Sequence, residues 1–266
     1  MKHLFLRGVL CLTAGTAAAY IVLRALTVFL DGGSTAVLCT ASVRETVPVY
    51  GVFLREEHLL TGTHFILAPE GGRVAAGTAL AADLTSPAAG IFTAHLDGWE
   101  HLAAPALTVE GVRTLCDDRR LPLSSPGKLV TDAAYRFYAL LRADDAERLR
   151  VGETYALECA YWGGVPLTLA EKGETAQEFT PVLFTGDRAM DTVLYLRRVS
   201  GQLLLGTYTG LRVPHQAVRT DGGAAYVETL LPGGSARTEV QLLYAGADFD
   251  LIASALLGPG SEVILN

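Results

Sequence analysis

The segment 93–101, which reads TAHLDGWEH, concentrates side chains that could bind a metal or transfer protons. These side chains are His95, Asp97, Glu100 and His101. Alternation along a strand would put His95 and Asp97 on one face, as a metal or acid–base site requires. The dipeptide Asp97-Gly98 is, however, a hairpin-turn signal, and Trp99 beside it is typical of an apolar anchor. The chain also lacks HxH and HExxH spacings, so we interpret the segment as a turn.

Other catalytic arrangements are not found in the sequence either. No GxSxG elbow surrounds a serine, and no GxGxxG or GxxxxGK[ST] loop opens a helix. His215 could act as a base, but nothing near it in sequence would orient its ring. Cys39, Cys116 and Cys159 are too widely spaced for a zinc site, and their odd number suits small buried thiols. The sequence therefore predicts no catalytic residue, no cofactor and no bound metal.

An apolar stretch near the N-terminus, Leu4–Leu30, is about as long as a helix must be to cross a bilayer. Lys2 and Arg7 give this end a positive bias, which predicts a cytoplasmic N-terminus and a main body outside the cell membrane. Arg24 lies near the outer end, where its side chain can reach the interface. The alternative is a cleaved signal peptide, because Ala17–Ala19 resembles a small-residue cleavage site.

The body that follows this stretch is acidic. All 28 acidic residues but only 18 of the 21 basic residues follow residue 30, which gives the body a net charge of −10. Phosphate binding needs a basic face, so nucleic acid is excluded as a partner. We expect the charge to keep an exposed domain soluble.

Beyond residue 30 the chain consists of short β-branched and aromatic runs separated by glycines, which predicts a mostly β fold. Six runs between residues 133 and 209 favour a small antiparallel barrel or sandwich. The predicted strands are Thr46–Leu54, Phe65–Leu67, Ile91–Leu96, Ala133–Leu141, Thr154–Trp162, Val165–Ala170, Phe179–Phe184, Thr192–Val199, Gln202–Thr209, Ala225–Thr229, Glu239–Tyr244 and Glu262–Leu265. Short helices are predicted at Pro105–Cys116, capped by Thr108, and at Asp250–Leu257, and Asp144–Gly152 is predicted to form one short helix or turn.

Four stretches together resemble the HlyD-type membrane fusion proteins, the adaptor subunits of bacterial export systems. The turn Gly71-x-Arg73-Val74-x-x-Gly77 and the passage Ser86–Ile91 resemble the paired halves of a lipoyl-type β-domain. Asp144–Gly152 resembles the helix and turn inside the family's β-barrel domain. The passage Gly210–Pro214, followed by Ala217-Val218, is similar to the family's passage from the barrel to the membrane-proximal domain.

The resemblance implies a transmembrane helix followed by a lipoyl-like β-sandwich, a small β-barrel and a membrane-proximal β-domain, with both ends of the outer body side by side. It also implies an inner-membrane transporter permease as partner, and association of several copies of the chain. No lysine lies between Lys2 and Lys128, so the attachment chemistry of lipoate or biotin is excluded. The implied division is 1–3 cytoplasmic, 4–30 transmembrane, 31–62 joining strands, 63–104 lipoyl-like, 105–126 connector, 127–211 β-barrel and 212–266 membrane-proximal.

One departure from the family is large. Most members insert a long helical hairpin between the lipoyl halves, whereas about six residues, Ala81–Ser86, join them here. The alternative is therefore a cell-envelope scaffold that keeps the adaptor fold without a transport partner. The residues expected to shape turns are Gly71, Gly77, Gly90, Gly98, Gly210 and Pro214. Replacement of Lys128, in contrast, is expected to have little effect.

Overall fold

The computed structural model describes residues 34–62, 66–82, 84–100, 102–159, 162–231 and 234–265, and strands dominate this part of the chain. The predicted membrane helix, Leu4–Leu30, lies outside the described residues, as do Phe65 and His101. None of the helices in the described ranges combines the length and the apolar character that a membrane crossing demands. The prediction of a mostly β chain is confirmed.

The strands in the described ranges are numbered in chain order. They are β1 (Thr35–Val37), β2 (Cys39–Leu59), β3 (Arg73–Val74), β4 (Ala79–Ala81), β5 (Leu84–Thr85), β6 (Gly90–Thr93), β7 (Lys128–Arg142), β8 (Thr154–Cys159), β9 (Trp162–Lys172), β10 (Phe179–Gly186), β11 (Arg198–Pro214), β12 (Arg219–Asp221), β13 (Ala224–Leu231), β14 (Gly234–Ala245), β15 (Phe249–Ala253) and β16 (Glu262–Ile264). The helices are α1 (Val109–Asp117), α2 (Ala143–Glu147) and α3 (Met190–Val193), with one 3-10 turn at His215–Ala217.

Helix α1 forms where the sequence predicts it. The Thr108 hydroxyl accepts a hydrogen bond from the backbone N–H of Gly111 at 3.1 Å, which satisfies one of the donors that the first turn leaves unpaired. Val109, Val112 and Leu115 recur at helical spacing and are all buried. The predicted cap and the predicted apolar face are both confirmed.

The chain divides into two compact units, the first formed by residues 34–43 and 208–265 of the described chain and the second by 44–207. In the first unit the strand order is β1-β16-β13-β14-β15-β11, with β12 also paired to β13. Strand β1 pairs with β16, so residues from both ends of the body meet in one sheet. The core of this unit includes Leu38, Val213, Val227, Ile252 and Val263.

The second unit contains a closed cycle of antiparallel strand pairs, β2-β7-β10-β9-β8-β11, in which β11 returns to β2. Closure leaves no unpaired sheet edge within the cycle. Alternation along β7 turns Tyr135, Phe137, Ala139 and Leu141 toward one buried cluster, where they meet Phe53 of β2. A barrel core therefore forms from residues that the sequence already marks by their period of two.

A smaller layer of short strands lies beside this barrel in the same unit. Strand β3 pairs with β6, β4 pairs with β5, and β6 continues the pairing onto β7. The backbone N–H of Gly77 donates to the Ser86 carbonyl at 2.8 Å, and the N–H of Ser86 donates to the Thr78 carbonyl at 2.8 Å. The two segments that resemble lipoyl halves therefore interleave, around a core of Leu60, Leu80, Phe92 and Leu129.

Two predicted elements are wrong. Thr192–Val199 is not one strand, because α3 covers its beginning and β11 starts at Arg198. Asp250–Leu257 is not a helix, because its first four residues belong to β15, which pairs with β14 and β11, and the rest forms a loop. Short apolar runs do not separate buried strands from buried helices by periodicity, and here the neighbouring strands decide.

Three further sequence expectations also differ from the structure. Gly163 and Gly164, which separate two predicted strands in the sequence, lie inside β9. Ile66 and Leu67, the described part of a predicted strand, belong to no strand. Of the cysteines expected to be small buried thiols, Cys116 is buried, but Cys39 is exposed.

Candidate functional site

Six charged side chains form a buried cluster in the second unit, which we term the ionic cluster. Its members are Arg55, Glu57, Asp97, Glu100, Lys128 and Arg197. The side chains of four of them have no exposed surface, and those of Asp97 and Arg197 are 16% and 9% exposed. Three cations face three carboxylates, so the cluster carries no net charge.

Arg197 lies directly before β11 and joins two of the carboxylates. Its Nη2 donates to both oxygens of Glu57, at 2.7 and 2.9 Å, and its Nε donates to Oδ2 of Asp97 at 2.8 Å. Its Nη1 donates to the Phe53 carbonyl at 3.0 Å, beside the bond from the Phe53 N–H to the Arg197 carbonyl at 2.8 Å. Side chain and backbone of Arg197 thus both bind to β2.

Lys128, the first residue of β7, places its ammonium group among all three carboxylates. The Nζ atom lies 3.2 Å from Oε1 of Glu100, 3.3 Å from Oε1 of Glu57 and 3.8 Å from Oδ1 of Asp97. The residue is fully buried. The expectation that Lys128 tolerates replacement is at odds with this position, because its loss would leave buried carboxylates with less compensating charge.

Arg55 completes the cluster from β2. Its Nε donates to Oε1 of Glu57 at 2.9 Å, and its Nη1 donates to the carbonyls of Val193 and Leu196, the latter at 3.1 Å. Its Nη2 and the Oε2 atom of Glu100 are buried without a hydrogen-bond partner among the described residues. The cluster is therefore satisfied in charge but not in every hydrogen bond.

The cations hold two of the carboxylates in their ionised form. Burial alone would raise the pKa of Glu57, but the charges of Arg197, Arg55 and Lys128 outweigh it and lower that pKa below its ordinary value. Burial likewise opposes ionisation of Asp97, and hydrogen bonding and attraction to Arg197, together with the charge of Lys128, lower its pKa. Burial alone would lower the pKa of Arg197, but its attraction to Glu57 and its hydrogen bonds and attraction to Asp97 outweigh burial and raise that pKa.

The turn after β6 presents two carboxylates to the cluster. Asp97 accepts from the Trp99 N–H at 3.1 Å, and the Asp97 N–H donates to Oε1 of Glu100 at 2.9 Å. Trp99 is 4% exposed and packs against the outer side of the barrel and helix α1. The turn interpretation of this segment therefore accounts for the geometry of Asp97, Trp99 and Glu100.

The carboxylates of Glu57, Asp97 and Glu100 lie close enough together to be considered as metal ligands. Protein cations already compensate these charges, because Lys128 reaches all three carboxylates and Arg197 reaches two. A divalent ion would have to displace an ammonium group and would leave excess positive charge in a buried site. The arrangement suits a structural joint between elements rather than metal or acid–base chemistry.

His95 does not join the acidic residues that follow it. Its ring lies 6.5 Å from the Tyr195 ring, in an edge-on arrangement. Glu70 is near this pair and accepts from the Ala94 N–H at 2.8 Å. Burial acts to raise the pKa of Glu70, but hydrogen bonds from Ala94, Thr93 and Tyr195 lower it. The strand alternation considered in the sequence does not put His95 beside Asp97.

The predicted turn residues occupy several kinds of position. Gly71, Gly77 and Gly98 have φ angles of +71°, +78° and +81°, which glycine adopts without strain. Gly90 opens β6, and a Cβ there would lie 2.6 Å from the Val130 carbonyl oxygen. Gly210 lies inside β11 rather than in a turn, where a Cβ would lie 2.8 Å from the Ile252 oxygen. Pro214 ends β11.

His215 has an orienting partner that sequence reasoning missed. Its Nδ1 lies 3.1 and 3.0 Å from the two oxygens of Asp250, a residue that is 1% exposed. The Gly246 N–H also donates to Oδ1 of Asp250, at 3.2 Å. The His215 side chain is 63% exposed. The sequence signal for this contact was Asp250, an aspartate among the apolar residues of FDLIA. It could be interpreted only once β15 was known to pair with β11, the strand that ends directly before His215.

The solved structures that match this chain do so at low TM-scores and low sequence identity. No family model matches the chain, and no curated protein matches it. Similar solved structures include ZneB from Cupriavidus metallidurans, which is 12% identical with a TM-score of 0.32 over 88% of this chain and 92% of that one. MacA from Actinobacillus actinomycetemcomitans is 10% identical with a TM-score of 0.41 over 88% and 99%.

A third similar structure comes from Bacteroides eggerthii DSM 20697 and is provisionally described as an efflux transporter. It is 16% identical, with a TM-score of 0.34 over 85% of this chain and 91% of that one. At identities of 10% to 16% and scores of 0.32 to 0.41, this likeness carries no argument about function.

Proposed function

We propose that this chain is a membrane-anchored adaptor of a bacterial export or efflux system, which acts through protein surfaces and catalyses no reaction. The proposal rests on the way in which one compact unit is inserted, in sequence, between the two segments of the other. Residues 34–43 and 208–265 build one unit. Residues 44–207, which lie between these two segments in sequence, build the other. The resemblance to membrane fusion proteins implies such nesting, which short glycine motifs by themselves do not require.

In this proposal Leu4–Leu30 is the anchor, with the N-terminus in the cytoplasm and the body outside. The first unit serves as the membrane-proximal domain, the closed strand cycle as the barrel, and the layer built by β3 to β6 as the lipoyl-like domain. An inner-membrane transporter permease is the partner. Several copies associate around it, and such association favours closed rotational symmetry.

The ionic cluster supports a role in holding other molecules in place. It ties the turn after β6, through Asp97 and Glu100, to β2 and to the residue before β11. A contact of buried charges with fixed hydrogen-bond geometry resists rotation between the small layer and the barrel better than an apolar contact of the same size. An adaptor needs such rigidity, because its surfaces must stay in register with several partners.

A scaffold of the cell envelope without a transport partner is the second candidate. The connection between β4 and β5 favours it, because only residues 82 and 83 separate these strands. A long helical hairpin, which would reach toward an outer-membrane channel in the family, has no place there. The two candidates share the fold and the anchor and differ in the partner.

Crosslinking in intact cells tests the choice of partner. The tagged full chain is crosslinked, purified under denaturing conditions, and its adducts are identified by mass spectrometry. We expect an integral transporter permease and a second copy of the chain. Adducts with cell-wall or division proteins in place of a permease would support the scaffold. Adducts with soluble cytoplasmic proteins would overturn both candidates.

Cys39 provides a test of the anchor and of its orientation. This thiol is exposed in the first unit, whereas Cys116 is buried in the second. We expect a membrane-impermeant maleimide to label the full chain in cells whose cell membrane is intact and whose outer barriers are opened. Cys159 is half-exposed, so the control is a Cys39→Ser, Cys159→Ser variant, which should lose this labelling. Labelling that appears only after the cell membrane is lysed would place the body in the cytoplasm and refute the proposed orientation.

A further inference from the structure

The first unit exposes a group of large aliphatic side chains at one hairpin. Leu230 and Leu231 end β13 and are 46% and 52% exposed, and Leu256, in the loop after β15, is 83% exposed. All three line one open groove of about 590 Å³. Single exposed leucines are common on protein surfaces, but neighbouring ones at a hairpin indicate a contact surface.

A fourth aliphatic side chain extends this group toward the start of the described chain. Val37 of β1 is 61% exposed and lies opposite Glu262 of β16, which also lines the groove. Thr229 pairs with Val263, so the next residue of β13, Leu230, lies beside Glu262. Paired residues share a face of a sheet, and Val37 and Leu230 therefore flank Glu262 on one outer face. Leu231 alternates to the other face of β13 but lines the same groove at the end of the strand. We term Val37, Leu230, Leu231 and Leu256 the aliphatic patch.

The position of the patch along the chain indicates what covers it. Residues 31–34 are all that separate the apolar stretch Leu4–Leu30 from β1. Four residues span at most about 14 Å, and two strand spacings of about 4.8 Å separate β1 from β13. If Leu4–Leu30 crosses a bilayer, the patch lies within reach of that bilayer's surface.

The charges beside the patch are compatible with a headgroup region. Arg237 lines the same groove, and its guanidinium lies 3.6 Å from the centre of the Tyr226 ring and 3.2 Å from Asp221. Aliphatic tips that enter the acyl boundary, with an arginine and a tyrosine at headgroup level, form the amphipathic arrangement of interfacial membrane contacts. Glu262 also lines the groove, and its carboxylate would limit the depth of such an insertion.

We propose that the aliphatic patch inserts into the surface of the phospholipid bilayer that anchors the chain. This inference rests on the proposed membrane anchoring and adds a second contact, made by the folded body itself. The anchor alone makes a single connection between the first unit and the membrane. A second contact fixes one side of the unit against the membrane.

Photocrosslinking of the full chain tests the proposal. A diazirine amino acid is introduced at Leu231 or at Leu256, and the protein is reconstituted into vesicles of phosphatidylethanolamine and phosphatidylglycerol. Leu242 of β14 is the matched control, because it is 41% exposed in the same unit but does not line the groove. We expect phospholipid adducts at 231 and 256, several-fold above those at 242. Adducts with a second copy of the chain, equal lipid adducts at 242, or no lipid adduct would overturn the proposal.

Two further measurements separate failure of this inference from failure of the proposed function. Resistance of the same proteins to alkaline extraction reports the anchor independently of the patch. In cells, adducts at 231 with a permease in place of lipid would refute the lipid contact while supporting the adaptor role. A chain that is extracted from the membrane would refute the anchoring itself.

Discussion

Nη2 of Arg197 donates to both carboxylate oxygens of Glu57, at 2.7 and 2.9 Å, across 140 positions of sequence. Both side chains are almost fully buried, at 9% and 0% exposure. Neither charge could remain there alone, because desolvation of an unpaired ion costs several kcal/mol. Either residue can therefore be buried only when the segment just before β11 has packed against β2.

Replacing Arg197 by methionine should strongly destabilise the chain. The variant keeps most of the side-chain volume but leaves Asp97 without its principal cation and removes one partner of Glu57. We expect a loss of about 3–5 kcal/mol in the free energy of unfolding, measured by urea denaturation. Arg150→Met is the control, because this arginine is 81% exposed and lies 3.8 Å from Glu153, and it should change stability by less than about 0.5 kcal/mol.

The balance of charge in the cluster can be tested with a second substitution. Arg197→Met alone leaves three carboxylates and two cations, whereas Arg197→Met with Glu57→Leu leaves two of each. We expect the double variant to be more stable than Arg197→Met, since replacing a whole buried pair is less costly than breaking it. If the losses in free energy of unfolding caused by the two single substitutions simply add in the double variant, compensation of charge does not govern the stability of the cluster.

Acid should remove the contribution of Glu57 and Asp97. Their pKa values are lowered in the folded chain, so their stabilisation is complete above the ordinary carboxyl pKa of about 4 and is lost as the pH falls through the depressed values. The Glu57→Gln variant has no carboxyl group at this position, so it has no such stabilisation to lose when the pH falls. We expect the difference in urea midpoint between the native chain and Glu57→Gln to be large at pH 7 and to narrow at pH 3. A constant difference would contradict the assignment.

A side chain at Gly77 or at Gly90 should destabilise the fold, but for different reasons, so the two positions should tolerate different substitutions. Valine at either position is expected to cost about 1–3 kcal/mol in thermal or urea unfolding. The cause at Gly77 is its φ of +78°, with open space around it, whereas at Gly90 a Cβ would lie 2.6 Å from the Val130 oxygen. Asparagine, which tolerates positive φ, should therefore be accepted at 77 and not at 90. Unchanged melting of both valine variants would refute these backbone roles.

Among the described residues, His215→Ala should leave the buried carboxylate of Asp250 with the Gly246 N–H as its remaining hydrogen-bond partner. A buried acceptor that loses its partner costs about 1–3 kcal/mol. Adding Asp250→Asn to His215→Ala should recover part of this loss, as a double-mutant cycle would measure. Arg219 and Glu228, a half-exposed pair at 3.4 Å in the same unit, provide the control cycle, in which we expect little coupling. Equal coupling in both cycles would show that the burial of Asp250 is irrelevant.

Much of the fold could be predicted because the signals are local. The alternation of Tyr135, Phe137 and Ala139 marks one face of a strand, and this face is buried in the barrel. Thr108 caps a helix through a bond to a residue three positions away. Where a short apolar run lacks a distinct period, as in FDLIA at the start of β15, local signals predict the wrong element.

The sequence by itself determined the β class, the turns at positive φ, the capped helix and the acidic, glycine-punctuated body, since each depends on residues a few positions apart. Only the tertiary structure decided that Lys128, predicted to be dispensable, lies among Glu57, Asp97 and Glu100, and that Asp250 orients His215. The physical reason is that a buried charge takes its partner from whichever strand the register brings beside it. Register is fixed by the packing of the whole sheet and not by the neighbours of a residue in sequence.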